Sequence, residues 1–68
     1  MASETELMRM GVAALQSGNR QGAISLFSQV VEINSFNEQA WFYLAAAETD
    51  PTTRKRYLQR VLEINPNN

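Results

Sequence analysis

Apolar residues return along this chain at steps of three and four, and turn-forming residues fall between the apolar stretches. That period places side chains on one face of a helix, whereas strict alternation would signal a strand. The first stretch sets Leu7, Met10, Gly11, Ala14 and Leu15 on such a face. Ser3 and Glu6 precede them in capping-box spacing, so a helix is expected to start near Glu4. "SGN" at residues 17–19 supplies a glycine stop, and Asn19 then caps the next helix.

In the second stretch Ala23, Ile24, Phe27, Val30 and Val31 make one wide stripe that Leu26 and Ile33 broaden, which predicts a helix buried on two sides. It ends around Asn34. Asn37 caps a third helix, "EQAWFYLAAAET", with Phe36 placed to staple onto Trp41. Asp50 before Pro51 marks the fourth start, because aspartate caps well and the missing proline amide costs nothing at the first helical position. Tyr57, Leu58, Val61, Leu62 and Ile64 carry the apolar face of that helix until "NPNN" stops it. The expected fold is all-α, with four helices in one domain spanning residues 1–68.

The second pair of helices repeats the first. "VVEINSFN" at residues 30–37 returns as "VLEINPNN" at residues 61–68, so helix four matches helix two at a spacing of 31. Asn19 meets Asp50 as caps, Phe27 meets Leu58, and Val30 meets Val61. Helix three matches helix one at a spacing of 34, with Trp41 on Leu7, Leu44 on Met10 and Ala45 on Gly11, which implies that the second copy has lost three residues at its inner turn. Gly11 and Ala23 lack bulk, so their helices can approach closely. In the second copy Arg54 stands in the place of Ala23, and it is expected to escape to solvent while the run Ala45, Ala46, Ala47 takes over the close contact.

This pattern resembles the tetratricopeptide repeat, a helix-turn-helix unit of about 34 residues written W-x2-L-G-x2-Y, then A-x3-F, then P. Copy one, about residues 4–36, offers Leu7, Met10, Gly11, Ala14, then Ala23, Phe27 and Ser35 at those places. Copy two, about residues 37–68, offers Trp41, Leu44, Ala45, Glu48, then Arg54, Leu58 and Pro66. The resemblance implies four antiparallel helices stacked as two helical hairpins with a right-handed superhelical arrangement. It also implies a concave groove built from the first helix of each pair, which in that family binds peptides or partner helices. On this chain the groove would hold Thr5, Met8, Val12, Leu15, Gln39, Phe42, Tyr43 and Ala46. Its apolar and aromatic character suits hydrophobic anchors, although Phe42 and Tyr43 can equally be read as core. The Lys and Asn clamp with which some family members hold a terminal carboxylate is missing, since Met8, Val12 and Tyr43 stand there.

Composition narrows the chemistry. Cysteine and histidine are both absent, which removes disulfides, the usual zinc ligands and every thiol or imidazole mechanism. The seven carboxylates fall at caps or on polar faces, with no nucleophile-base pair and no glycine-rich phosphate loop, so neither an enzyme nor a cofactor or metal is expected. A formal net charge of -1 gives no global field toward nucleic acid or an anionic membrane. No apolar run approaches the roughly 20 residues that span a bilayer, and "MASETEL" lacks the marks of a signal peptide; the expectation is a cytoplasmic protein.

Two surfaces of helix four remain. Arg54, Lys55, Arg56 and Arg60 form a small basic patch that could touch phosphates, against the plainer reading of a solvated flank; nucleic acid is not the expected partner. Leu58, Leu62 and Tyr57, with Ile64 beside them, should stay partly exposed, because a helix pair leaves one apolar flank for a neighbour. A core of this size rarely contributes more than about 3–5 kcal/mol, which favours a partner. The expected partner is a protein or peptide in the groove, with a homodimer through helix four or further repeats of a longer chain as alternatives.

Overall fold

Each helix begins at a residue whose side chain takes over an amide that the first turn leaves unpaired. Ser3 Oγ accepts from the amide of Glu6 at 3.1 Å, Asn19 Oδ1 from Gly22 at 2.9 Å, Asn37 Oδ1 from Ala40 at 3.1 Å, and Asp50 Oδ2 from Thr53 at 3.0 Å. In the computed structural model, which describes residues 2–67, these caps open α1 (Glu4–Gln16), α2 (Arg20–Ile33), α3 (Glu38–Ala47) and α4 (Pro51–Ile64). Every regular element among the described residues is a helix. The capping box is half formed, since the Glu6 carboxylate accepts from the Ser3 hydroxyl at 3.2 Å and not from its amide.

α1 stops as the sequence requires. Gly18 adopts φ +85°, a left-handed conformation that costs glycine nothing, and lets the amides of Gly18 and Asn19 reach back to the carbonyls of Leu15 and Ala14. Asn19 thus closes one helix and caps the next. Between α3 and α4 a different device works: the Glu48 carboxylate accepts from the amides of both Thr49 and Asp50 at 3.0 Å, directly ahead of Pro51.

That turn corrects two expectations. α3 ends at Ala47, two residues before Thr49, because Glu48 already adopts an extended conformation. Both inner connections have three residues, 17–19 and 48–50; the three residues missing from the second copy are taken from the helix, 13 residues in α1 and 10 in α3. A third correction concerns Phe36, which is 74% exposed and so contributes little to a staple. Trp41 is fixed from elsewhere: its indole N–H donates to the Ser35 carbonyl at 2.8 Å, and its ring packs against Tyr57 with centroids 5.9 Å apart.

α2 lies between α1 and α3, packing on both, and α4 packs on α3. One cluster of the core gathers Ala23, Phe27, Leu44 and Ala47; a second gathers Leu7, Val30 and Ala40. Val31 packs against both, while Ile33 is left exposed. Gly11 decides the closest approach. A Cβ added there would lie 2.7 Å from the Phe27 ring, so only glycine lets α1 and α2 close over that ring. The result is compact, with a radius of gyration of 11.2 Å.

The two helix pairs are also tied by polar contacts with the same repeat. Glu4 at the start of α1 accepts from the Asn34 amide group at 3.1 Å, and Glu38 at the start of α3 accepts from that of Asn65 at 3.2 Å. Glu4 accepts in addition from Asn37 at 2.7 Å, which anchors the α3 cap to the first helix.

Candidate functional site

The residues expected to face a groove separate into two groups. Met8, Val12 and Leu15 on α1 are half-buried and pack against the Ala23–Phe27–Leu44–Ala47 cluster. On α3 the picture opens. Gln39, Phe42 and Tyr43, together with Glu38, line an open concavity of about 280 Å³. Phe42 and Ala46 also line a second one of about 310 Å³, shared with Ala45, Arg54 and Leu58. Thr5 is exposed on α1 and lines neither.

The two aromatics that admitted either reading have different surroundings. The Tyr43 ring stacks on Phe27 with centroids 5.1 Å apart and planes inclined by 8°, so it seals the core and forms a wall of the concavity. Phe42 meets Tyr43 edge-on at 6.3 Å and remains 52% exposed at the junction of the two concavities. Adjacent positions on a helix point about 100° apart, which is why one ring is held in the core while its neighbour faces out.

Helix four distributes its cations over different surroundings. The Arg54 guanidinium folds back over the end of α3, donating to the carbonyls of Ala45 at 3.2 Å and Glu48 at 2.9 Å. These are carbonyls that the end of a helix leaves unpaired. Arg54 thus reaches solvent, as its substitution for Ala23 led us to expect, and also ties the shortened α3 to α4. Arg60 pairs with Glu63 at 2.8 Å and lies over the Trp41 ring at 5.3 Å. Lys55 and Arg56 are exposed, with no such contact among the described residues. The four therefore do not present one continuous face, and two of them are already engaged within the molecule.

On the apolar side of α4, Tyr57 is half-buried against Trp41, whereas Leu58 and Leu62 are 40% and 51% exposed. A further open hollow, lined by Ala2, Leu7, Gln29, Glu32 and Ile33, lies at α1 and α2. Sequence reasoning did not single it out. Nor did it find the carboxamide contacts of Glu4 and Glu38, although glutamates 34 apart and the twice-used "EIN" carried that signal.

Asp50 is held below its ordinary value by the Thr53 hydroxyl and then the Thr53 amide, which is what an N-cap does. No group of three or more metal-ligating side chains forms among the described residues, and no helix there is long and apolar enough to cross a membrane. Set against known proteins, the chain matches no family model, no curated protein and no solved structure. A functional reading therefore has to come from geometry.

Proposed function

We propose that the four helices are two copies of one helical hairpin, stacked in the tetratricopeptide manner, and that the chain is a protein-interaction module that takes an apolar peptide or partner helix along α3. The repeated contacts support the architecture: equivalent caps at Asn19 and Asp50, equivalent Glu–Asn bonds at Glu4 and Glu38, and α2 between α1 and α3. The observation that carries the binding reading is Phe42. A large aromatic left 52% exposed between two concavities, and held edge-on by a ring that is itself stacked on the core, is a preorganised anchor site. Gln39 adds a polar group at its rim that can orient a ligand backbone.

The test is selection of peptides from a random displayed library on the immobilised chain. Enrichment of sequences with bulky apolar anchors is expected, with binding lost in Phe42→Ser and in Gln39→Arg while the far-UV circular dichroism stays unchanged. Peptides that bind both variants as well as the parent would place their contact elsewhere and end this reading.

A further inference from the structure

The internal repeat gives each residue of α4 a counterpart in α2, 31 positions earlier. Leu58 corresponds to Phe27, and Leu62 to Val31. In the first pair these positions are covered: Phe27 is fully buried with the Tyr43 ring of α3 stacked on it, and Val31 packs against both core clusters. In the second pair they stay 40% and 51% exposed, because among the described residues α4 packs on α3 alone of the helices. The hollow beside Leu58 corresponds as well. Ala45 is the counterpart of Gly11 and Arg54 of Ala23, and the concavity they share with Leu58 is open where the first pair is closed over. The molecule thus holds an occupied and an unoccupied version of one apolar flank.

Charge points to the occupant. α4 carries Arg54, Lys55, Arg56 and Arg60 against Glu63, a net charge of +3, and the rest of the chain sums to -4 within the total of -1. α3, the helix that covers the occupied flank, has Glu38 and no cation. A second copy of the chain is a poor fit. α4 against α4 would bring like charges together. The α1 stripe equivalent to the inner face of α3 offers Glu6, Arg9, Met10 and Ala13 where α3 has Ala40, Tyr43, Leu44 and Ala47, so it has no ring to seat.

We propose that the Leu58–Leu62 flank of α4 docks an acidic amphipathic helix of another protein, laid on it as α3 lies on α2, with an aromatic side chain seated over Leu58 beside Ala45. The apolar stripe provides the contact area, and Lys55, exposed three residues before Leu58 and so beside the stripe, selects the acidic helix. This surface adjoins the anchor site, since Phe42 lines the hollow beside Leu58 as well, but it does not include Gln39.

The probe is a synthetic peptide with the sequence of residues 37–50, the molecule's own covering helix, titrated into the isotope-labelled full chain and followed by backbone amide shifts. Saturable one-to-one binding is expected, with the largest shifts around Leu58, Leu62 and Ala45. Leu62→Ser, at a half-exposed position, should weaken it about tenfold or more, the range for losing an anchor side chain. Lys55→Glu should weaken it too, while Gln39→Arg, at a residue that does not line the hollow beside Leu58, should leave it unchanged. Four results would overturn the proposal: no saturable binding; shifts centred on Phe27 and Val31, which mean exchange with the chain's own α3; a dimer in sedimentation that Leu62→Ser dissolves without peptide; or tighter binding of a single-stranded RNA oligonucleotide than of the peptide at the same residues.

Discussion

Phe27 and Leu58 hold the same place in two copies of one pattern, yet the first is fully buried and the second is 40% exposed. Residue type alone does not explain the difference, because both are large and apolar. Position in the stack does: α2 has a helix on each side, and α4 has one on a single side. The first pair is built for close contact, with Gly11 under the Phe27 ring. In the second, a Cβ at Ala45, a smaller side chain at Leu58 and an arginine at Arg54 leave a hollow in the same place. The second pair is held instead by polar and aromatic links at its ends, with Arg54 on the α3 carbonyls and Arg60 over Trp41. Both copies thus contribute to the core, but α2 is covered on both flanks while α4 keeps the Leu58–Leu62 flank at the surface.

The sharpest way to break this comparison is to truncate both residues. Phe27→Ala should cost about 3–5 kcal/mol, which exceeds what so small a domain can lose and should leave no cooperative thermal transition. Leu58→Ala, losing a side chain that is already half in water, should cost about 1 kcal/mol by urea denaturation. Equal losses would mean that Leu58 is covered as fully as Phe27.

The next effect exchanges the small residues. Gly11→Ala forces its new Cβ against a ring that has no room to move, an overpacking cost of about 1–3 kcal/mol that outweighs the gain of about 1 kcal/mol in helix propensity. Ala45→Gly should also destabilise, by about 1 kcal/mol, since it removes a buried methyl and loosens a helix. A stabilised Gly11→Ala protein in thermal melts would show that α1 and α2 are not in tight contact.

Glu4→Ala should cost roughly 1–2 kcal/mol, because it leaves the carboxamides of both Asn34 and Asn37 without their acceptor. Amide exchange should then speed up at the start of α3, where Asn37 is the cap. Unchanged exchange there would reduce the Glu4 contact to decoration.

The smallest effect is on pH dependence. Thr53 holds the Asp50 carboxylate below its ordinary value of 3.8, so the folded state favours the ionised cap. That contribution is present above 3.8 and is lost as pH falls through the lowered value. Asp50→Asn keeps a capping oxygen but does not titrate, so its stability should fall less steeply on acidification below pH 3.8 than that of the parent. Parallel acid limbs would assign the dependence to the other carboxylates.

Much of this was legible from local chemistry. Caps at Ser3, Asn19, Asn37 and Asp50 work within one turn of their own helix, so sequence spacing suffices to find them. The close approach of α1 and α2 at Gly11 followed from its lack of bulk, though not that the Phe27 ring fills the space, and the exposure of Leu58 and Leu62 followed from counting how many helices could cover them. The end of α3 was not legible: "AAAET" continues a good helical pattern, and only the Glu48 carboxylate, turned to cap two amides ahead of Pro51, shows that it stops. Phe36 was misread because a staple depends on the path of the loop, which Trp41 fixes by bonding Ser35.

By itself, then, the sequence determined what is short in range: four capped helices, their apolar faces, and the near-repetition of one pair by the other. Only the tertiary structure decided between Phe42 and Tyr43, stacking one ring on the core and leaving the other in solvent, and where each arginine directs its guanidinium. The physical reason is that burial and long polar contacts depend on which elements come to lie side by side. Spacing along the chain gives a helix its apolar face, but a neighbouring helix is needed to cover it.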